Sequence, residues 1–280
     1  MKFSGAVCIL IVMSFLTACS PNNVQVDNSL KHFFDDNKVT GTFGIFDNGQ
    51  GIFTIYNLDR YKDSTFLPAS TFKIINALIG IETGRVENEK SLIPWDGVVR
   101  TFPNGDTAKA WNKDLTMEEA FKVSAVPYFR EVARRIGKDT MQKWLDTLGF
   151  GSRYSKFNIG NNLDTFWLDN SLKVTPDEEL GLVKKLYFNQ LPFQSRTQDI
   201  VKKLMQQENN ANYRLSYKTG WGFRENGNAI GWVAGWIEEN VHVYPFVLNI
   251  EGPHNMDMQT VRANILKGIL TQQGFFQGKK

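Results

Sequence analysis

Hydrophobic and polar positions alternate near both ends of the chain and recur at helical spacing through its middle. Residues 42–46 and 52–56 are short runs rich in Ile, Phe, Thr and Tyr. The turn formers Asp47, Asn48, Gly49, Gln50 and Gly51 separate them, which predicts two joined strands. Residues 214–217, 229–237 and 241–250 have the same β-branched and aromatic character and predict further strands. Helices are predicted between these groups. Residues 28–36 suit a short helix, and Thr116-Met117-Glu118-Glu119 has the form of a capping box, in which hydroxyl and carboxylate each satisfy a free amide. Pro127 suits the first turn of a helix running to Arg135 and stopped by Gly137. Asp139 with Gln142 opens another, closed by Gly149, and Thr175-Pro176-Asp177-Glu178 a fourth. Residues 258–272 close the chain as an amphipathic helix. The fold class this predicts is α+β: an antiparallel sheet from both chain ends, flanked by helices, with a helical lobe inserted at roughly 86–207. A cleft between sheet and lobe is a natural place for a site.

The first residues change the picture of the domain. Lys2 precedes an apolar stretch, 6–16, too short to span a bilayer, which reads as an export signal. It ends in Leu16-Thr17-Ala18-Cys19, which resembles the lipobox of bacterial lipoproteins, in which cleavage precedes a cysteine that is then lipidated. The expected organisation is a signal at 1–18, a polar tether at 19–28 and one domain at 29–280. Ser20 after the cysteine points to the outer membrane, with the domain at its periplasmic face. Cys8 and Cys19 are the only cysteines, so the mature domain is expected to hold together by packing alone. Charge is nearly balanced, formally +3, without a basic run interleaved with aromatics, which argues against a nucleic-acid partner.

Three short motifs carry candidate chemistry. In Pro68-Ala69-Ser70-Thr71-Phe72-Lys73, a helix opening at Ser70 puts Lys73 one turn on, on the same face. The helix start also supplies free amides for an oxyanion. The residues that follow are apolar on nearly every face, and a buried lysine is costly unless paired or neutral. Ser124-Ala125-Val126 lies between one helix and Pro127 of the next, a turn suited to aiming a hydroxyl into a cleft. Lys218-Thr219-Gly220 is read at the end of a strand, where glycine permits close approach. Singly, each is weak.

Together, in this order, they resemble the penicillin-recognising serine enzymes. Ser-x-Val as the middle element, with Phe166-Trp167-Leu168 downstream, is similar to the class D (oxacillinase-type) β-lactamases, and the likeness extends from about Phe33 onward. That resemblance implies a β-lactam substrate, with Ser70 as nucleophile and an acyl-enzyme on it. It implies that Lys73, whose amine ordinarily titrates near pH ~10.4, adds carbon dioxide and serves as a carbamate base, with no other cofactor. Phe72, Val126, Trp167 and Leu168 would form the apolar pocket around it, the Trp167 indole donating to the carbamate. Ser124 would pass a proton to the departing lactam nitrogen, with Lys218 beside it. Thr219, Gly220 and Trp221 would line the substrate, the amides of Ser70 and Trp221 forming the oxyanion hole, and Arg262 would pair with the substrate carboxylate. Phe150-Gly151-Ser152 departs from the family, which usually has Asn in the last place. A non-hydrolytic penicillin sensor and a D-Ala-D-Ala peptidase share parts of this logic, although Val126 argues against the peptidase. His32, His242 and His254 have no metal-ligand spacing, so no metal is expected.

Overall fold

The computed structural model describes residues 23–101 and 105–280. The export signal and Cys19 lie outside the described residues. The strands are β1 (Val24–Val26), β2 (Thr40–Asp47), β3 (Ile52–Tyr56), β4 (Leu92–Ile93), β5 (Leu115–Thr116), β6 (Gln206–Asn209), β7 (Tyr213–Phe223), β8 (Ala229–Glu239) and β9 (His242–Gly252). The α-helices are α1 (Lys31–Asp36), α2 (Leu58–Asp63), α3 (Lys73–Glu82), α4 (Met117–Lys122), α5 (Val126–Ile136), α6 (Lys138–Leu148), α7 (Pro176–Tyr187), α8 (Ser195–Met205) and α9 (Met258–Gln272).

Seven strands form one sheet in the order β1-β3-β2-β9-β8-β7-β6, and β4 pairs with β5 apart from it. All its pairs are antiparallel except β1 with β3, where Val24 faces Phe53. The strand β1 falls within the segment read from sequence as a tether. Its backbone pairs along the outer edge of β3, and Val24 packs against the larger core while Val26 stays exposed. The interior strand β8 is buried at every residue but Glu238, because helices cover both faces of the sheet. On one face α1 and α9 build a core with Phe34, Phe43, Phe246, Ile250, Ile265 and Ile269. On the other, Ile75, Leu78, Phe129, Val132, Val183, Trp232 and Val247 belong to a second, larger core.

Capping accounts for much of the helical part. The predicted capping box of Thr116 with Glu119 forms, and the helix start read at Thr175 has one too, Thr175 with Glu178. Pro127 sits in the first turn of α5, and Gly137 ends it at φ 82°. The start of α6 differs: Asp139 and Gln142 do not cap it, and Gln142 instead bridges Asp146, the Phe157 carbonyl and the Ile159 amide. The strand predicted at 214–217 continues to Phe223, so Lys218-Thr219-Gly220 lies within it. Gly220 and Gly222 let it run hard against Pro68 and Leu67, since a Cβ there would meet the Pro68 oxygen at 2.9 Å and Leu67 Cδ1 at 2.8 Å.

The buried Trp232 indole donates to the Leu67 carbonyl at 2.9 Å, fastening β8 to the segment that enters the motif at Ser70. Trp232→Phe is expected to leave that carbonyl unpaired and lower stability by about 1–3 kcal/mol. A melting curve unchanged by the substitution would show that the bond contributes nothing.

Candidate active site

Ser70 stands in a 3-10 turn, Ala69–Phe72, that runs directly into α3. It therefore precedes the α-helix rather than opening it. Ala69 has φ 50°, a left-handed conformation that costs a residue with a Cβ on the order of 1–2 kcal/mol. Surrounding bonds hold it there, among them Ala69 N–H donating to the Trp167 carbonyl at 3.0 Å.

Lys73 is the first residue of α3, a helix buried from Lys73 through Ile81. Its Nζ lies 2.5 Å from Ser70 Oγ and 5.8 Å from the centre of the Phe129 ring. The side chain has no solvent exposure, and burial alone lowers its pKa to about 7. An amine with that pKa is substantially unprotonated near neutrality. Around it Phe72 stacks on Trp167 at 5.2 Å and meets Phe166 edge-on at 5.0 Å. Val126 starts α5, and Leu168 packs partly buried against the same core. The Trp167 Nε1 is buried without a hydrogen-bond partner. An orphaned indole N–H in a largely apolar niche calls for an acceptor that the described residues do not provide.

Ser124 links α4 to α5 with φ 55°, an uncommon conformation for a serine. Its Oγ accepts from Lys218 Nζ at 2.9 Å, and the same ammonium donates to the Thr219 carbonyl at 3.1 Å. Lys218 is buried beneath the Phe121 ring. Burial, then the charges of Lys73 and Arg262, hold its pKa well below the ordinary lysine range. From α9, Arg262 donates to the Gly220 carbonyl at 2.8 Å. Burial lowers its pKa to about 10, which leaves it a cation at neutral pH. A cavity of about 230 Å³ is lined by Phe121, Lys218, Thr219 and Arg262 among others. Ser70, Lys73 and Ser124 do not line that cavity, and Trp221, further along β7, is about two-fifths exposed. Among the described residues no carboxylate comes within ion-pair distance of Lys73, Lys218 or Arg262. Arg262 therefore stands in the hollow as a cation without a carboxylate partner among the described residues.

The structure thus gathers Ser70, Lys73, Ser124 and Lys218 from three separate segments, and packs Phe72 and Trp167 beside them. Sequence reasoning passed over two groups here. Asn76, fully buried on α3, has both side-chain polar atoms unpaired. Glu179, fully buried on α7, contacts Thr71. Each is a polar residue on an apolar helical stripe, and that is the signal that could have found them. The histidines stand apart: His32 and His254 each meet a backbone carbonyl, and His242 is exposed. Among the described residues no cluster of three or more potential metal ligands occurs.

The penicillin binding protein transpeptidase domain matches residues 31–271. The chain is 36% identical over 250 residues to β-lactamase OXA-48 of Klebsiella pneumoniae, covering 89% of each. It superposes with TM-score 0.81 on the crystal structure of FUS-1 (OXA-85), a class D β-lactamase from Fusobacterium nucleatum subsp. polymorphum, at 32% identity over 90% of this chain and 100% of that one. It also superposes with TM-score 0.80 on the C-terminal domain of the Bacillus licheniformis BlaR penicillin-receptor, at 29% identity over 91% of this chain and 98% of that one. With these likenesses beside the serine, lysine and strand geometry, the chain belongs to the penicillin binding protein transpeptidase family and, within it, to the class D β-lactamases.

Proposed function

We propose that this β-lactamase opens its substrates through an acyl-enzyme on Ser70, with Lys73 as the source of the general base. The observation that carries the reading is the fully buried amine with a pKa of about 7 placed 2.5 Å from a hydroxyl. The Ser70 Oγ attacks the lactam carbonyl while its proton passes to the base at position 73. The C–N bond breaks, and Ser124 gives its proton to the leaving nitrogen, kept supplied and oriented by Lys218. The amides of Ser70 and Trp221 steady the oxyanion. Thr219 and Gly220 form the strand edge along which the substrate lies. Arg262 takes the substrate carboxylate, which relieves the uncompensated positive charge of the hollow. Water then attacks the ester, deprotonated by the same base.

The base is proposed to be the carbamate formed when the neutral Lys73 amine adds carbon dioxide and loses a proton. That group supplies carboxylate oxygens beside Ser70, within a niche walled by Phe72, Val126, Trp167 and Leu168. The unpaired Trp167 Nε1 supports this reading, since it provides a donor for such an oxygen. Activity is expected to fall in carbon-dioxide-depleted buffer and return with bicarbonate. Loss of a hydrogen bond to a charged group costs ~1.5–3 kcal/mol, so Trp167→Phe should raise the bicarbonate needed for half recovery by about tenfold or more. Activity indifferent to depletion would rule out the carbamate and leave the serine chemistry standing.

The N-terminal residues support export with a lipid on Cys19, holding the domain at the periplasmic face of the outer membrane, where destroying β-lactams confers resistance. The likeness to a penicillin receptor favours one second reading, a sensor that acylates without turnover. Steady-state hydrolysis of a chromogenic cephalosporin, followed by intact mass measurement of the Ser70 adduct, decides between them. Continuous turnover with a transient adduct supports the hydrolase; one burst and a lasting adduct would support the sensor.

A further inference from the structure

The turn that carries Ser70 rests on a carboxyl group that charge pairing does not explain. Glu179 shares a face of α7 with Val183 and Leu186, is fully buried, and has no cation within ion-pair distance among the described residues. Its Oε1 lies 2.5 Å from Thr71 Oγ1, which lies 2.7 Å from the Pro68 carbonyl oxygen. A hydroxyl has one proton, and a carbonyl can only accept. Both short contacts are hydrogen bonds only if the carboxyl brings a proton of its own. Were it ionised, either the Thr71–Pro68 or the Thr71–Glu179 contact would set two acceptors together, and Oε2, which has no partner, would be a bare buried anion.

We propose that Glu179 is a neutral acid whose O–H donates to Thr71 Oγ1, that Thr71 in turn donates to the Pro68 carbonyl, and that this chain positions Ser70 for attack. The inference rests on Ser70 being the nucleophile. Pro68 and Thr71 bracket the two residues that most need holding, left-handed Ala69 and Ser70 itself. Pro68 is also where Gly220 of β7 makes its close approach, so the chain sets the turn against the strand edge.

The charged surroundings agree. Burial raises the Glu179 carboxyl to about 8, the Thr71 bond opposes this, and the Glu178 charge raises it further. Of the other charged groups on or packed against α7, Asp177 is turned to Arg153 at 3.5 Å, and Lys184 lies over the Phe46 ring. Arg60 of α2 is held by Glu251 and Asn249. None offers Glu179 a countercharge. Above about pH 8 the proton leaves, Thr71 turns its own proton to the carboxylate, and Pro68 is released.

The test measures the acylation rate with a chromogenic cephalosporin at saturating bicarbonate across pH. Glu179→Gln keeps a donor of the same shape and cannot titrate. It is expected to acylate as wild type does at pH 7 and to lose the decline above about pH 8. Glu179→Leu removes the donor, and a small displacement of the nucleophile should slow acylation by about 10–100-fold. Equal rates for Glu179→Leu and wild type, or identical alkaline limbs for Glu179→Gln and wild type, would overturn the proposal. Infrared spectra at pH 7 give a readout independent of catalysis and of whether Glu179→Leu folds. Wild type should show a protonated-carboxyl C=O band that Glu179→Gln lacks, and absence of that band in wild type is equally fatal. If wild type shows the band yet forms no Ser70 adduct, it is the acyl-enzyme reading that has failed.

Discussion

Replacing Lys73 with methionine is expected to lower kcat/KM by about 10⁴-fold while raising the melting temperature. The loss follows because among the described residues Lys73 is the base that contacts Ser70 Oγ, and a positioned general base contributes roughly 10²–10⁴-fold to each step it serves. The gain in stability has a definite pH dependence. The Lys73 amine has its pKa lowered by burial from 10.5 to about 7, so between those values the unfolded chain binds more protons than the folded one. Stability therefore rises with pH across that window, and the penalty is fully present below about pH 7. Methionine fills similar volume without a charge to desolvate. Its advantage should be roughly 2–5 kcal/mol at pH 7 or below and vanish toward pH 10.5, each pKa unit being worth about 1.36 kcal/mol. Thermal melts of both proteins in carbon-dioxide-depleted buffer from pH 6 to 10 test this directly. Parallel stability curves, or a variant that still turns over substrate, would contradict it.

The second large effect is expected at Lys218. Lys218→Met removes the donor to Ser124 Oγ and a buried amine that has no carboxylate partner among the described residues. Loss of a preorganised charged donor typically costs 10²–10³-fold in rate, and a fall in kcat/KM of about that size is anticipated. The variant should fold at least as stably as wild type, because a cation pushed down by burial and by Lys73 and Arg262 has gone. A drop confined to KM would place Lys218 in substrate binding alone and remove it from proton delivery to the lactam nitrogen.

Much of the architecture was legible because its signals are local. The capping box at Thr116, the helix starts at Pro127 and Thr175, the stop at Gly137, and the extent of α9 are written in a few adjacent residues. Ser70, Lys73, Ser124 and Lys218 were legible for another reason: three weak motifs in one order carry more information than any alone. What escaped depends on distant partners. The continuation of β7 through Gly220 and Gly222 is set by the close passage of Leu67 and Pro68, and the strand at Val24–Val26 exists because β3 offers it an edge. Glu179 looks like a helix N-terminal charge, a good place for an acid near solvent. Only packing reveals that it faces Thr71 in a dry interior. Gln142 failed as a capping residue because the loop at Phe157 and Ile159 offers it stronger partners.

The sheet divides the interior into two chambers. One supports Ser70, Lys73 and Trp167; the other, between β2, β8 and β9 and the helices α1 and α9, touches mainly framework. Evolution can therefore adjust the two semi-independently. A substitution that reshapes the reactive side for a bulkier drug, at some loss of robustness, can be compensated by tighter filling around Phe34, Phe246 or Ile269 without moving a reacting atom. Second-site suppressors of destabilised resistance alleles should concentrate in that rear chamber, and their effects should add to those of the alleles they rescue.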